Sequence, residues 1–214
     1  MVSRRLRIIE VTQALLSEGD GQFTMRDLAT KCGVATGTLY NLYGSQDALI
    51  ADAVTDIFER RVLDMAAAAP NASLYRAITA RQDAAYQEIM RAPIFARIMV
   101  ELYFSGEPNS RVWQVLHTIP TETAINQLEQ VKALGDLEDW VDIPRLADQV
   151  IRANYAVVSS WATGMLSDEE FAVETLYGAY AMILGALKGT SRAEVKAALL
   201  QLKQPPSAKD KMQG

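Results

Sequence analysis

Apolar residues in this chain recur at intervals of three and four almost from end to end, and over no useful length do they alternate one-in-two. The first spacing lines one face of a helix, whereas a half-buried strand needs a period of two. The chain is therefore expected to be all-α. Glycine and proline cut the pattern into segments. Helices are expected over about Arg4–Ser17, Thr24 to Gly33, Thr36–Leu42 and Ser45–Ala68, then Ser73–Arg91 and Ile94–Phe104 with Pro93 in the first turn. Two helical pieces should flank Pro120, which is expected to kink or split them. Residues 135–142 read as an acidic, exposed loop. Pro144–Gly164 and Ser167–Leu187 read as long apolar helices, and a last helix, capped by Thr190 or Ser191, ends near Lys203.

Half of the 214 residues are hydrophobic and 22% are charged, enough to bury a substantial core. The single cysteine, Cys32, excludes an intramolecular disulfide and a cysteine-based zinc site, and the single histidine, His117, argues against His-rich metal chemistry. No metal and no cofactor are expected. There is no glycine-rich phosphate loop and no convincing nucleophile–base set, so an enzyme is disfavoured. No long apolar run and no signal-peptide core are present, which points to a cytoplasmic protein without a membrane partner. The net charge of −5 argues against a nucleic-acid partner, but residues 1–41 carry Arg4, Arg5, Arg7, Arg26 and Lys31 against four acids.

The most informative stretch is Met25 to Leu42. Leu28, Cys32, Val34, Leu39 and Leu42 are apolar, Ala29 is small, and Gly33 sits at the corner. Two short helices crossing steeply need this arrangement: a small residue for close approach, a glycine for the turn, and Leu39 and Leu42 packing the second helix back. Thr24 reads as the N-cap of the first of them, with Asp27 completing a capping-box variant. The other face of the second helix is polar, small or amphipathic. Gly37 there costs about 1 kcal/mol relative to alanine, which close approach of a partner would explain.

The runs Phe23-Thr24-Met25-Arg26-Asp27-Leu28-Ala29, Gly33-Val34-Ala35-Thr36-Gly37-Thr38-Leu39-Tyr40 and Tyr43-Gly44-Ser45-Gln46-Asp47-Ala48-Leu49 resemble the TetR family of bacterial transcriptional regulators. The resemblance implies an N-terminal three-helix helix-turn-helix unit over residues 1–46. A helical effector-binding and dimerisation domain follows over 47–203, with a disordered tail over 204–214. It implies a DNA-binding repressor that is a homodimer on a near-palindromic double-stranded operator. By that resemblance Thr24 and Tyr43 contact phosphates, while Arg26, Thr36, Gly37, Thr38, Tyr40 and Asn41 face the DNA. The family usually has Lys, a phosphate contact, where Gln46 stands.

In the second domain Phe95, Met99, Tyr103, Trp113, His117 and Tyr155 are the candidates for an effector site, and their character suits an apolar or amphipathic small molecule. Core filling is the plainer reading of each. Phe171, Thr175, Gly178, Ala179, Met182 and Ala186 form a helical stripe with small residues at its centre and are the candidates for a dimer interface, with burial inside one chain as the alternative. The alternative function is a helical small-molecule-binding protein whose helix-turn-helix binds DNA weakly or not at all.

Overall fold

The computed structural model describes residues 4–17, 23–67, 73–105 and 111–202. The tail expected over 204–214 lies outside the described residues. The secondary structure is helical: α1 (Arg4–Ser17), α2 (Met25–Cys32), α3 (Thr36–Tyr43), α4 (Gln46–Ala67), α5 (Leu74–Arg91), α6 (Pro93–Ser105), α7 (Arg111–Trp113), α8 (Ile119–Ala133), α9 (Ile143–Ala162), α10 (Asp168–Leu184) and α11 (Gly189–Leu202). A single antiparallel bridge, Leu137 to Leu187, is the extended pairing among the described residues.

The chain divides into two compact units. One comprises Met1–Met65 and Gln87–Ile119, the other Ala66–Tyr86 and Pro120–Gly214. This cuts the chain differently from a linear division at residue 46, because most of α4, all of α6 and the turns up to Ile119 cluster with the N-terminal helices.

In the first unit, Ile8, Ile9, Leu15 and Leu16 of α1 are buried, as are Leu28, Ala29 and Cys32 of α2 and Leu49, Ala53 and Val54 of α4. The Thr24 hydroxyl accepts from the Asp27 amide at 3.2 Å while the Asp27 carboxylate accepts from the Thr24 amide at 3.0 Å, so α2 opens on the expected capping box. It closes at Gly33, whose φ of 68° lets the Gly33 and Val34 amides return to the Thr30 and Ala29 carbonyls. Ser45 caps α4 by accepting from the Ala48 amide at 3.1 Å.

Pro120 does not split its helix. Helical turns run from Arg111 to Ala133, with a π-helical turn over Gln114–Thr118 just before the proline. Proline lacks an amide hydrogen and its ring crowds the carbonyl four residues back, and widening the preceding turn relieves both.

In the second unit α10 packs against α9 and α11, and Leu74, Ile78, Leu128, Ala147, Tyr180, Ile183 and Val195 belong to one core. The acidic loop is partly interior: Leu137 is buried, whereas Trp140 is exposed. Neither Thr190 nor Ser191 caps α11 with its side chain. The Asp136 carboxylate reaches across and accepts from the Ser191 amide at 2.8 Å, and that backbone bond leads the contacts holding its pKa below the ordinary value. No helix among the described residues is long and apolar enough to cross a membrane.

Candidate DNA interface

Leu39 is fully buried and fixes α3 against the rest of its unit. That orientation sends Gly37, Tyr40 and Asn41 to the surface, with Thr36 and Thr38 half-buried beside them. Leu42 does not pack inward as expected. It is 49% exposed. A Cβ built on Gly37 would meet nothing within 4 Å, so no contact inside the chain requires glycine there. Thr24 and Arg26 are exposed on α2. The Thr24 hydroxyl also donates to the Asp27 carboxylate at 2.6 Å, and this bond leads the contacts that hold the Asp27 pKa below its usual value.

Tyr43, expected at a phosphate, is turned partly inward. It is half-buried, its hydroxyl is enclosed, and burial raises its pKa. The Arg5 guanidinium lies 5.7 Å from its ring centroid, within range of a cation–π contact. Arg5 also pairs with Asp52 of α4 at 2.9 Å. Gln46 is likewise turned to the protein, its amide donating to the Phe23 carbonyl at 2.7 Å and tying the start of α4 to the entry of α2. Cys32 is buried, and burial raises its pKa, which disfavours the thiolate. Arg5 was not legible as a positioning residue, since its terminal cluster showed only as charge.

A family model described as "Bacterial regulatory proteins, tetR family" matches residues 8–53, the span of α1 to the first turns of α4. Residues 8–53 therefore carry the DNA-binding region of the TetR family. Its regulators are DNA-binding transcription factors rather than enzymes, and the helix-turn-helix is α2 and α3. Similar solved structures share the TetR-regulator fold over nearly their whole length. FadR from Thermus thermophilus, a TetR-family transcriptional repressor in complex with lauroyl-CoA, has a TM-score of 0.67 at 16% identity, covering 85% of this chain and 94% of FadR. RolR in complex with resorcinol gives 0.66 at 15% identity, covering 94% of each chain. A TetR transcriptional regulator from Rhodococcus sp. RHA1 gives 0.63 at 18%, covering 84% of this chain and 95% of that one. No curated protein matches the sequence.

The effector candidates are only partly brought together. Phe95, Met99, Tyr103 and His117 are buried and Trp113 half-buried in the first unit. Trp113 stacks on His117 with centroids 4.4 Å apart and on Tyr103 at 5.4 Å, and the Tyr103 hydroxyl lies 2.9 Å from His117 Nδ1. The π-helical turn sets this register, since a widened turn rotates His117 relative to Trp113. Tyr155 lies in the second unit and is half-buried there.

The stripe expected to form a dimer interface lies mostly inside the chain. Phe171, Thr175, Ala179 and Ala186 are buried inside the chain, and Gly178 and Met182 are half-buried. Within the same chain α10 packs against α9 and α11. On the outward side Val173, Tyr177, Ala181 and Gly185 follow one another at steps of four, all exposed.

Proposed function

We propose that the protein is a homodimeric repressor that reads a near-palindromic operator through α3 and releases it when a small apolar or amphipathic effector binds its helical domain. The observation that carries the DNA-reading part is the surface of α3. Gly37 is open without an internal reason, flanked by Thr36, Thr38, Tyr40 and Asn41, side chains able to reach base edges and phosphates. The exposed Leu42 adds an apolar group of the kind that meets a thymine methyl. Thr24 and Arg26 would hold the backbone beside it, whereas the enclosed Tyr43 and the engaged Gln46 would brace the unit.

The second copy would dock on the outer face of α10, where Val173, Tyr177 and Ala181 are exposed and Gly178 and Gly185 allow close helix approach. The effector reading is supported by the Tyr103–Trp113–His117 cluster and by its link to the DNA-binding helices. Arg111, two residues before Trp113, pairs with Asp52 and with Glu59 of α4 at 2.7 Å, while Arg5 of α1 shares Asp52. A change around Trp113 would therefore act on α4, and through it on the distance between paired recognition helices. Successive major grooves lie about 34–36 Å apart, so a shift of a few ångströms suffices to lose the match. The complexes of FadR with lauroyl-CoA and of RolR with resorcinol support a small-molecule effector for this fold. The functional division into residues 1–46 and 47–203 follows this assignment of roles.

A mobility-shift titration with DNA from upstream of the protein's own gene tests the reading. A discrete, competitor-resistant complex is expected. No complex at low salt would leave the alternative, a helical small-molecule-binding protein.

A further inference from the structure

Arg81 of α5 lies half-buried in the second unit, and desolvation alone lowers its pKa. It donates to one neutral group, the Gln127 side-chain carbonyl of α8, at 3.0 Å. Among the described residues no carboxylate pairs with it. A desolvated cation without a counter-charge is costly and is kept where something else supplies the charge.

Two further polar atoms on the same pair of helices are orphaned. Gln82 is 6% exposed and, among the described residues, its amide nitrogen has no acceptor. It stands on the core stripe of α5, one turn beyond Ile78 and two beyond Leu74. Thr121 continues the core stripe of α8 from Leu128 and Ala124, and its enclosed hydroxyl is unpartnered as well. Thr12, Thr55, Thr79 and Thr175 each satisfy their hydroxyls by bonding to the carbonyl four residues back, at 2.6–2.9 Å. Thr121 does not. The apolar stripes of α5 and α8 thus each end in an unpartnered polar group, on the two helices that the Arg81–Gln127 hydrogen bond joins. One turn beyond Gln82, Tyr86 lies against Phe171 at 6.0 Å, an apolar continuation of the same face.

We propose that Arg81, with Gln82 and Thr121, receives the carboxylate of an amphipathic acid, so that the effector of this regulator is a monoanion with an apolar body. This rests on the reading of the protein as an effector-released regulator, and it assigns the acid's carboxylate to groups of the second unit, whereas the Tyr103–Trp113–His117 cluster belongs to the first. One guanidinium, one amide and one hydroxyl supply a forked pair of donors and two single ones, which match the lone pairs of a carboxylate. Their formal charge of a single cation suits a monoanion better than a dianionic phosphate.

The test uses three acids with their matched alcohols on the full chain: octanoate with octanol, dodecanoate with dodecanol, benzoate with benzyl alcohol. Calorimetry is expected to show at least one acid binding about tenfold or more tightly than its alcohol. Arg81→Met should reduce that preference below about twofold while raising the melting temperature of the unliganded protein, because the unpaired, desolvated charge is gone. Arg81→Lys should keep part of the preference and serves if the Met variant does not fold. No preference in any of the three pairs, or a preference that survives both substitutions, overturns the proposal. Acid binding that leaves operator affinity unchanged would keep the carboxylate site and remove the effector reading. Operator release by an alcohol as effective as its acid would keep the effector reading and remove the carboxylate site.

Discussion

At Gly37 the proposed DNA contact is testable apart from folding, at a single residue. Its missing side chain would meet nothing inside the chain, and alanine improves helix propensity by about 1 kcal/mol. Gly37→Ala should therefore raise thermal stability slightly while weakening operator binding by about tenfold. Unchanged binding would mean that this face does not approach DNA closely. Asp27 behaves in the opposite way. Its carboxylate is held below its usual pKa by the Thr24 hydroxyl first and the Thr24 amide second. A depressed pKa means stabilisation that is present above the unfolded-state value, about 3.9, and lost as pH falls through the lower folded value. Asp27→Asn should lower the melting temperature at neutral pH, and the gap from wild type should narrow as the medium is acidified through that range. A gap independent of pH would count against the capping role.

At the scale of elements, the helices were legible because each rule that located them is local. Thr24 and Asp27, Ser45, Pro93 and the Ser167–Glu170 capping box mark helix starts by contacts within four residues, and Gly33 marks an end by its own dihedral. What was not legible depends on contacts distant in sequence. The cap of α11 comes from Asp136, more than fifty residues away, and nothing near Thr190 announces it. The stripe from Phe171 to Ala186 looks the same whether covered by α9 and α11 or by a second copy, since hydrophobicity does not name its partner. At the candidate site, the exposed polar side of α3 was readable from residue character, whereas the inward turn of Tyr43 depends on Arg5 and α4. Gly189 gives the corresponding test. Its φ is 57°, and a Cβ there would stand 2.1 Å from the Asp136 carboxylate. Gly189→Ala should cost more than about 1 kcal/mol of stability, measured by denaturant unfolding. A neutral result would mean that the Asp136 cap is dispensable.

For the whole molecule, two independent surfaces must work together. Tyr177→Asp places a charge on the exposed side of α10 and should shift sedimentation toward monomer, whereas an unchanged profile would place the dimer contact elsewhere. Arg111→Ala should leave effector binding intact but reduce its effect on operator affinity, because Asp52 and Glu59 lose their link to the Trp113 segment. Effector and operator titrations of that variant, compared with wild type, read the coupling directly. The central claim, that paired α3 helices read a two-fold operator, is tested most directly by selecting binding sites from a random duplex library with the purified protein. The account predicts enrichment of an inverted repeat whose half-site centres lie about one helical turn apart, or a multiple of it. Recovery of no common sequence, with retention that vanishes as salt is raised, would contradict it.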